Sequence, residues 1–361
     1  MIDHPSDQDS NTIGQSSNKG LEYHPGLGLL PRLILIFFWN SADRRIRAFW
    51  RLTIQILLYL LISISLAGFI YLVFQVIFPE LAASKVETSS QYLIISSFSP
   101  ILSLLGIFFS VWAAGKWLDH RKFSDFGFHL NVQFSKDLIF GLLLGAFLMT
   151  LVFGVEYAAG WITVTQTMQT SLEGIPFILG LVQSVILFVC VGIYEELFSR
   201  GYQLRNLAEG FNMPRLGPQR ALIIGWSLSS LIFGVLHASN PNATLISTAN
   251  IVVAGLFLGL GYILTGKLAI SIGLHITWNF FQGNVFGFPV SGTSPGVKFI
   301  SILQGGPDMF TGGAFGPEAG ILGLLAMVAG SILTIIWVRK FYGRVKLQDG
   351  LASYQIFKTG D

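Results

Sequence analysis

The chain has 361 residues, 52% of them hydrophobic and only 11% charged, with a net charge of +3 and a mean hydropathy of +0.64. Such a composition belongs to a polytopic membrane protein and excludes a soluble domain. The small positive charge reports membrane orientation and contact with anionic lipid headgroups, not nucleic-acid binding.

In chain order, residues 1–28 are polar and lack the apolar core and cleavage site of a signal peptide, so they read as a disordered cytoplasmic tail. Residues 29–50 combine Leu, Ile, Phe and Trp with a basic cluster, which predicts an amphipathic helix lying in the headgroup plane. Apolar runs able to cross about 30 Å of hydrocarbon follow near 52–78, 92–115, 138–160, 175–198, 221–238, 245–264, 268–282 and 320–338, the seventh being short. The fold expected is all-α, a polytopic transmembrane helix bundle of about eight spans preceded by the interfacial helix. Cys190 lies inside the fourth run without a partner in the chain, which excludes an intramolecular disulfide and leaves it a packing role. Gly255 and Gly259, four residues apart, predict a close helix–helix approach. Segment 283–319, rich in Gly and Pro, is unsuited to regular helix and reads as an extracytoplasmic loop that caps the bundle or moves.

Orientation follows from the 22 Lys and Arg residues, because positive charge accumulates in short cytoplasmic segments. With the N-terminus cytoplasmic, only Lys85 and Lys298 fall outside. Both termini are then cytoplasmic and the number of spans is even. A bacterial plasma membrane and an internal membrane satisfy this asymmetry equally.

Three short patterns place polar groups in otherwise apolar helices: Glu195-Glu196-Leu197-Phe198-Ser199-Arg200, Phe233-Gly234-Val235-Leu236-His237 and His275-Ile276-Thr277-Trp278-Asn279. Ionisable groups are costly in a bilayer, so their default reading is functional. Glu196 and Arg200, four residues apart, share a helical face and can pair, whereas Glu195 points about 100° away toward another helix. His275 and Asn279 stack an imidazole and an amide one turn apart, and Phe233 packs one turn before His237. Counting 1.5 Å per residue puts Glu195 and His237 nearly level but His275 about 12 Å lower.

Such a set has three plausible jobs. In hydrolysis, Glu195 takes a proton from water that His237 helps to hold, while His275 and Asn279 stabilise an oxyanion. In metal binding, His and Glu suit zinc, but the six histidines form no HExxH pattern, so no metal or other cofactor is expected. In a proton-coupled transporter, the same acids and histidines relay protons. The basic segment 199–220 after Glu195 suggests a cavity opening toward the cytoplasm. Glu156 is expected to snorkel to the outer surface, outside the site.

Written EExxxR, FxxxH and HxxxN, the three patterns resemble those of the CPBP intramembrane proteases, the family of CAAX prenyl endopeptidases and bacterial self-immunity proteins. Gly201 after Arg200, the lead-in Ala269-Ile270-Ser271-Ile272-Gly273-Leu274 and the segment Leu118-Asp119-His120-Arg121-Lys122-Phe123-Ser124-Asp125-Phe126-Gly127 are similar as well, while Ser199 stands where an aromatic residue is common. The resemblance covers about 115–282. It implies Glu195 as general base, His237 as its partner at the water site, His275 and Asn279 as the oxyanion pair, and Glu196 and Arg200 as supports, with Phe233 beside them. It implies an endopeptidase acting on a membrane-associated protein or peptide, CAAX-type processing being one form; the family has been described both as metalloproteases and as metal-independent glutamate proteases, and the ligand spacing here, poor for zinc, favours the glutamate type. A non-proteolytic membrane partner or immunity-type protein is the main alternative and a proton-coupled transporter the next. The domain division is then a tail at 1–28, an interfacial helix and two spans at 29–114, the protease-like domain at 115–282, the outer loop at 283–319, and the last span with a cytoplasmic tail at 320–361.

Overall fold

A computed structural model describes residues 37–41, 43–77, 89–171 and 174–354, with the side chains of 89–97 excepted. The expected tails at 1–28 and beyond 354, and the first part of the expected interfacial helix, lie outside the described residues. Within 39–47 that helix is not formed: strands β1 (Trp39–Asn40) and β2 (Arg45–Ile46) pair antiparallel. The bend between them is fixed by Asn40, whose Nδ2 donates to Asp43, and by Arg44, which takes a φ of 52°.

The helices are α1 (Ala48–Ile77), α2 (Ser89–Ala114), α3 (Val132–Ala158), α4 (Phe177–Glu196), α5 (Arg205–Phe211), α6 (Gly217–Leu236), α7 (Leu245–Thr265), α8 (Ala269–Phe280), the single turn α9 (Asp308–Thr311) and α10 (Ile321–Tyr342). A wider π-helical stretch, Leu197–Leu204, joins α4 to α5, so one continuous rod runs from Phe177 to Phe211. Seven of the described helices, that rod counted once, are long and apolar enough to cross a membrane. The eighth expected span, 268–282, is the 12-residue α8 followed by a π turn, Phe281–Val285, and it is buried among the others. The protein is thus an integral membrane helix bundle.

Helix ends follow local chemistry. Asn131 caps α3 by accepting from the Phe134 amide, and Thr244 and Ser247 cap α7 reciprocally. Gly266 ends α7 with a φ of 71°, a left-handed conformation that costs glycine nothing. First and last described segments meet at one end of the bundle, where the Arg45 guanidinium lies 3.6 Å from the centre of the Tyr354 ring. Glu209 of α5 gathers that end together. It pairs with Arg45 at 2.7 Å, Arg51 of α1 at 3.3 Å, Arg205 at 3.4 Å, and Arg121. The buried acid is held by four guanidiniums.

At the opposite end, β3 (Ile162–Thr170) and β4 (Val297–Gln304) form an antiparallel ribbon. Segment 283–319 therefore contains a strand, and it packs: Phe286, Phe288, Val297 and Phe315 are buried, the three phenylalanines in a core shared with α3, α6 and α7. Glu156 does not snorkel. Its side chain is fully buried, and its Oε2 accepts from Gln304 Nε2 at 2.8 Å, tying α3 to the ribbon.

Glycines set the position of α8. A Cβ on Gly145 of α3 would lie 2.6 Å from the Leu274 carbonyl and 2.7 Å from the Trp278 amide, and one on Gly141 would strike the Ile270 carbonyl. Gly255 and Gly259 similarly abut Ser230 and Trp226, as their spacing predicts. Gly145→Leu is expected to push α8 off α3, costing about 1–3 kcal/mol by overpacking. Thermal unfolding in detergent would register the loss, and an unshifted midpoint would show that α8 yields without cost.

Candidate active site

Glu196, fully buried, accepts from two directions at one oxygen. Arg200 Nη1 donates to Oε1 at 2.8 Å and His275 Nδ1–H donates to the same atom at 2.8 Å. The first is the expected pair one turn along the rod. The second is not legible in the sequence, because it joins groups 79 positions apart. Arg200 is locked further by donating Nη2 to the Gly255 carbonyl at 3.0 Å and by lying over the Phe233 ring at 4.4 Å. Phe233 also packs at a tilt against His237, 4.6 Å between ring centres, and meets His275 edge-on at 6.3 Å.

These contacts fix both imidazoles. Because His275 gives its Nδ1–H to Glu196, its Nε2 faces the cavity, 3.8 Å from Glu195 Oε2. His237 closes the end of α6 and its Nδ1–H donates to the Phe233 carbonyl at 2.7 Å, so its Nε2 is left as an acceptor in the neutral ring. Glu195 Oε2 is buried and has no hydrogen-bond partner among the described residues. Asn279 stands one turn beyond His275. Glu195, His237, His275, Asn279 and Phe233 all line one cavity of about 330 Å³, while Glu196 and Arg200 sit beneath it.

The apparent mismatch in depth disappears because the rod extends past the start of α8. Gly201 touches Leu268, the residue before α8, and a further ten residues run on to Phe211. Measured from that level, Glu195 is six residues up and His275 seven, about 9 and 10 Å. Counting along the sequence instead sets the rod's far end level with Lys267.

The rim of the cavity is made by Asn240, Val290, Ser291, Thr293 and Glu318, and its walls by apolar groups such as Phe188, Ile251, Phe257 and Trp278. Segment 199–220 takes no part. Residues 199–206 are buried and close the floor, so the opening expected beside that basic segment is not there.

Glu318, which sequence reasoning missed, accepts from the Ser291 amide at 2.5 Å and from Gln282 Nε2, clasping the end of α8 and the loop after it to the start of α10. Burial raises its carboxyl to about 7 against the opposing effect of those hydrogen bonds. A raised acid contributes stability that is complete below its unfolded value near 4.5 and is lost as pH climbs through about 7. The expected swing between pH 4 and 8 is about 3 kcal/mol, since each tenfold gain in proton affinity on folding is worth about 1.4 kcal/mol. Comparing the unfolding midpoints of the native chain and Glu318→Gln across that range would check it. Parallel curves would refute it.

Among the described residues no three of His, Cys, Asp and Glu converge as a metal-holding group. Cys190 is buried in α4, away from the cavity lining. No curated protein matches the chain. Residues 177–281, from the start of α4 to just past α8, match the family described as type II CAAX prenyl endopeptidase Rce1-like, and all three motifs lie inside this stretch.

Proposed function

We propose that the protein is an intramembrane endopeptidase in which Glu195 activates water without a metal. The family implies protease activity on a peptide or protein in the membrane. The observation that carries the glutamate reading is the Glu195 carboxylate, its side chain 22% exposed in a cavity it shares with His237, His275 and Asn279 and its Oε2 3.8 Å from His275 Nε2.

In this reading a water donates one O–H to Glu195 and the other to His237 Nε2, leaving a lone pair aimed at the scissile carbonyl carbon. As the O–C bond forms, Glu195 takes the proton. The carbonyl oxygen becomes an oxyanion facing Asn279 Nδ2–H and, when the ring is an imidazolium, His275 Nε2–H. Collapse breaks the C–N bond as Glu195 returns its proton to the leaving amine, giving a carboxylic acid and an amine. Glu196 holds His275 in place through Nδ1, and Arg200 neutralises Glu196 in the dry floor.

Two tests separate this from its rivals. Comparing membrane-protein termini in cells carrying the intact chain or Glu195→Ala at matched abundance should yield new termini only with the former. Identical profiles, with equal biological rescue, would favour a non-catalytic membrane partner. A membrane-permeant chelator should leave cleavage unchanged, and loss of cleavage restored by zinc would overturn the metal-free mechanism.

A further inference from the structure

His237 closes α6 and Asn279 stands near the end of α8, so the gap between them depends on what joins the loop after α6 to the turn after α8. A chain of hydrogen bonds makes that join. Gln282, in the π turn that follows α8, donates Nε2 to the Pro289 carbonyl at 2.6 Å and to Glu318. Glu318 also accepts from the Ser291 amide at 2.5 Å, and the Ser291 carbonyl accepts from Asn240 Nδ2 at 3.1 Å. The Asn240 amide donates to the His237 carbonyl at 3.1 Å. Glu318, 3% exposed, sits at the centre and takes a bond from each side.

Ser291 shows why a clasp is needed there. Val290 and Thr293 exchange both backbone bonds at 2.9 Å around Ser291 and Gly292, whose φ angles are 47° and 84°. A two-residue turn with both φ positive suits Asn-Gly or Gly-Gly, and a serine in its first place is strained. Glu318 grips the amide of that serine and Asn240 its carbonyl, while Asn242 Nδ2 holds the Gly292 carbonyl at 3.2 Å. Val290, Ser291 and Thr293 line the same cavity as Glu195, His237, His275 and Asn279, so the strained turn faces the reacting groups.

We propose that Glu318 is a positioning residue for cleavage, although it lies outside the stretch matched to the family. It sets Asn279 through Gln282, and His237 through the Ser291 turn and Asn240, and so fixes the gap in which water and the scissile carbonyl meet. The proposal rests on the peptidase reading for the chemistry in that gap. Misplacing a reacting group by about 1 Å costs about 10²-fold in rate. Water activation and oxyanion binding act in the transition state, so the loss falls on kcat.

The test is steady-state kinetics of purified variants in one detergent, expressed per folded molecule, on a synthetic peptide spanning a Glu195-dependent cut found by terminus comparison. Glu318→Ala is expected to lower kcat about 10²-fold with KM within about threefold of native. Glu318→Gln keeps an acceptor for the Ser291 amide and should recover at least about tenfold of that loss. Glu318→Asp, one methylene shorter, cannot reach both donors and should fall between native and alanine. It carries the test where Glu318→Ala does not fold. Native-like kcat in the variant that carries the test, a loss confined to KM, or Glu318→Gln no faster than alanine overturns the proposal while the peptidase reading stands. Absence of any Glu195-dependent cut overturns that reading and the proposal with it.

Discussion

Replacing Glu195 by Gln is expected to lower peptide cleavage about 10³-fold, within the range that a positioned general base contributes. The amide has nearly the shape of the carboxyl group but cannot take a proton from water at neutral pH. The Glu196–Arg200–His275 bonds beneath it involve other atoms, so folding should be preserved. Unfolding midpoints matched to the native chain, with cleavage all but abolished, would place the loss in the chemical step. A variant that folds and retains cleavage within tenfold of native would remove Glu195 from the role of base and return attention to the transporter and non-catalytic readings. Asn279→Ala should cost about 10²-fold through a lost oxyanion donor.

Glu196→Ala should act on stability first. Glu196 and Arg200 are both essentially inaccessible, and deleting one partner leaves the other charge buried without compensation, a loss of about 3–5 kcal/mol. His275 would lose its Nδ1 acceptor in the same step, so any folded fraction should have low activity even in assays corrected for folded protein. Combining Glu196→Ala with Arg200→Met should recover part of the stability, because no uncompensated charge then remains. Activity should not return, since His275 stays unanchored. Unfolding midpoints of the two singles and the double in one detergent would measure the coupling. Strict additivity would mean that the two charges do not compensate each other in the folded protein.

The helices are legible in the sequence because lipid-spanning segments must satisfy their own backbone and cover it with apolar side chains, which leaves long runs. Three polar patterns in those runs also identify the groups that the bundle brings to one cavity. What cannot be read is how the runs cross. Along the chain Glu196 is a partner for Arg200 alone, and its bond to His275 depends on α8 sinking between the glycines of α3 and the rod, a three-dimensional fact. Glu209 gives no signal because its guanidinium partners come from the N-terminal ribbon, α1, the loop before α3 and its own helix. The β3–β4 ribbon does leave a trace. Residues 162–170 alternate Thr and Gln with larger apolar groups over most of their length, a period of two that is invisible to a criterion of long apolar runs.

The acid at Glu209 also changes what counts as the smallest unit able to stand alone. The family match stops at 281 and begins at 177, yet the rod carrying Glu195 ends in a carboxylate whose counter-ions Arg45, Arg51 and Arg121 come from upstream of that stretch. Cut free at the borders of the match, the rod would keep its chemistry but expose one anion with a single remaining guanidinium, Arg205. The upstream flank of the sequence, which carries none of the three motifs, is therefore part of what holds the rod that bears Glu195, and the piece that can evolve as a module is larger than the piece the family match covers.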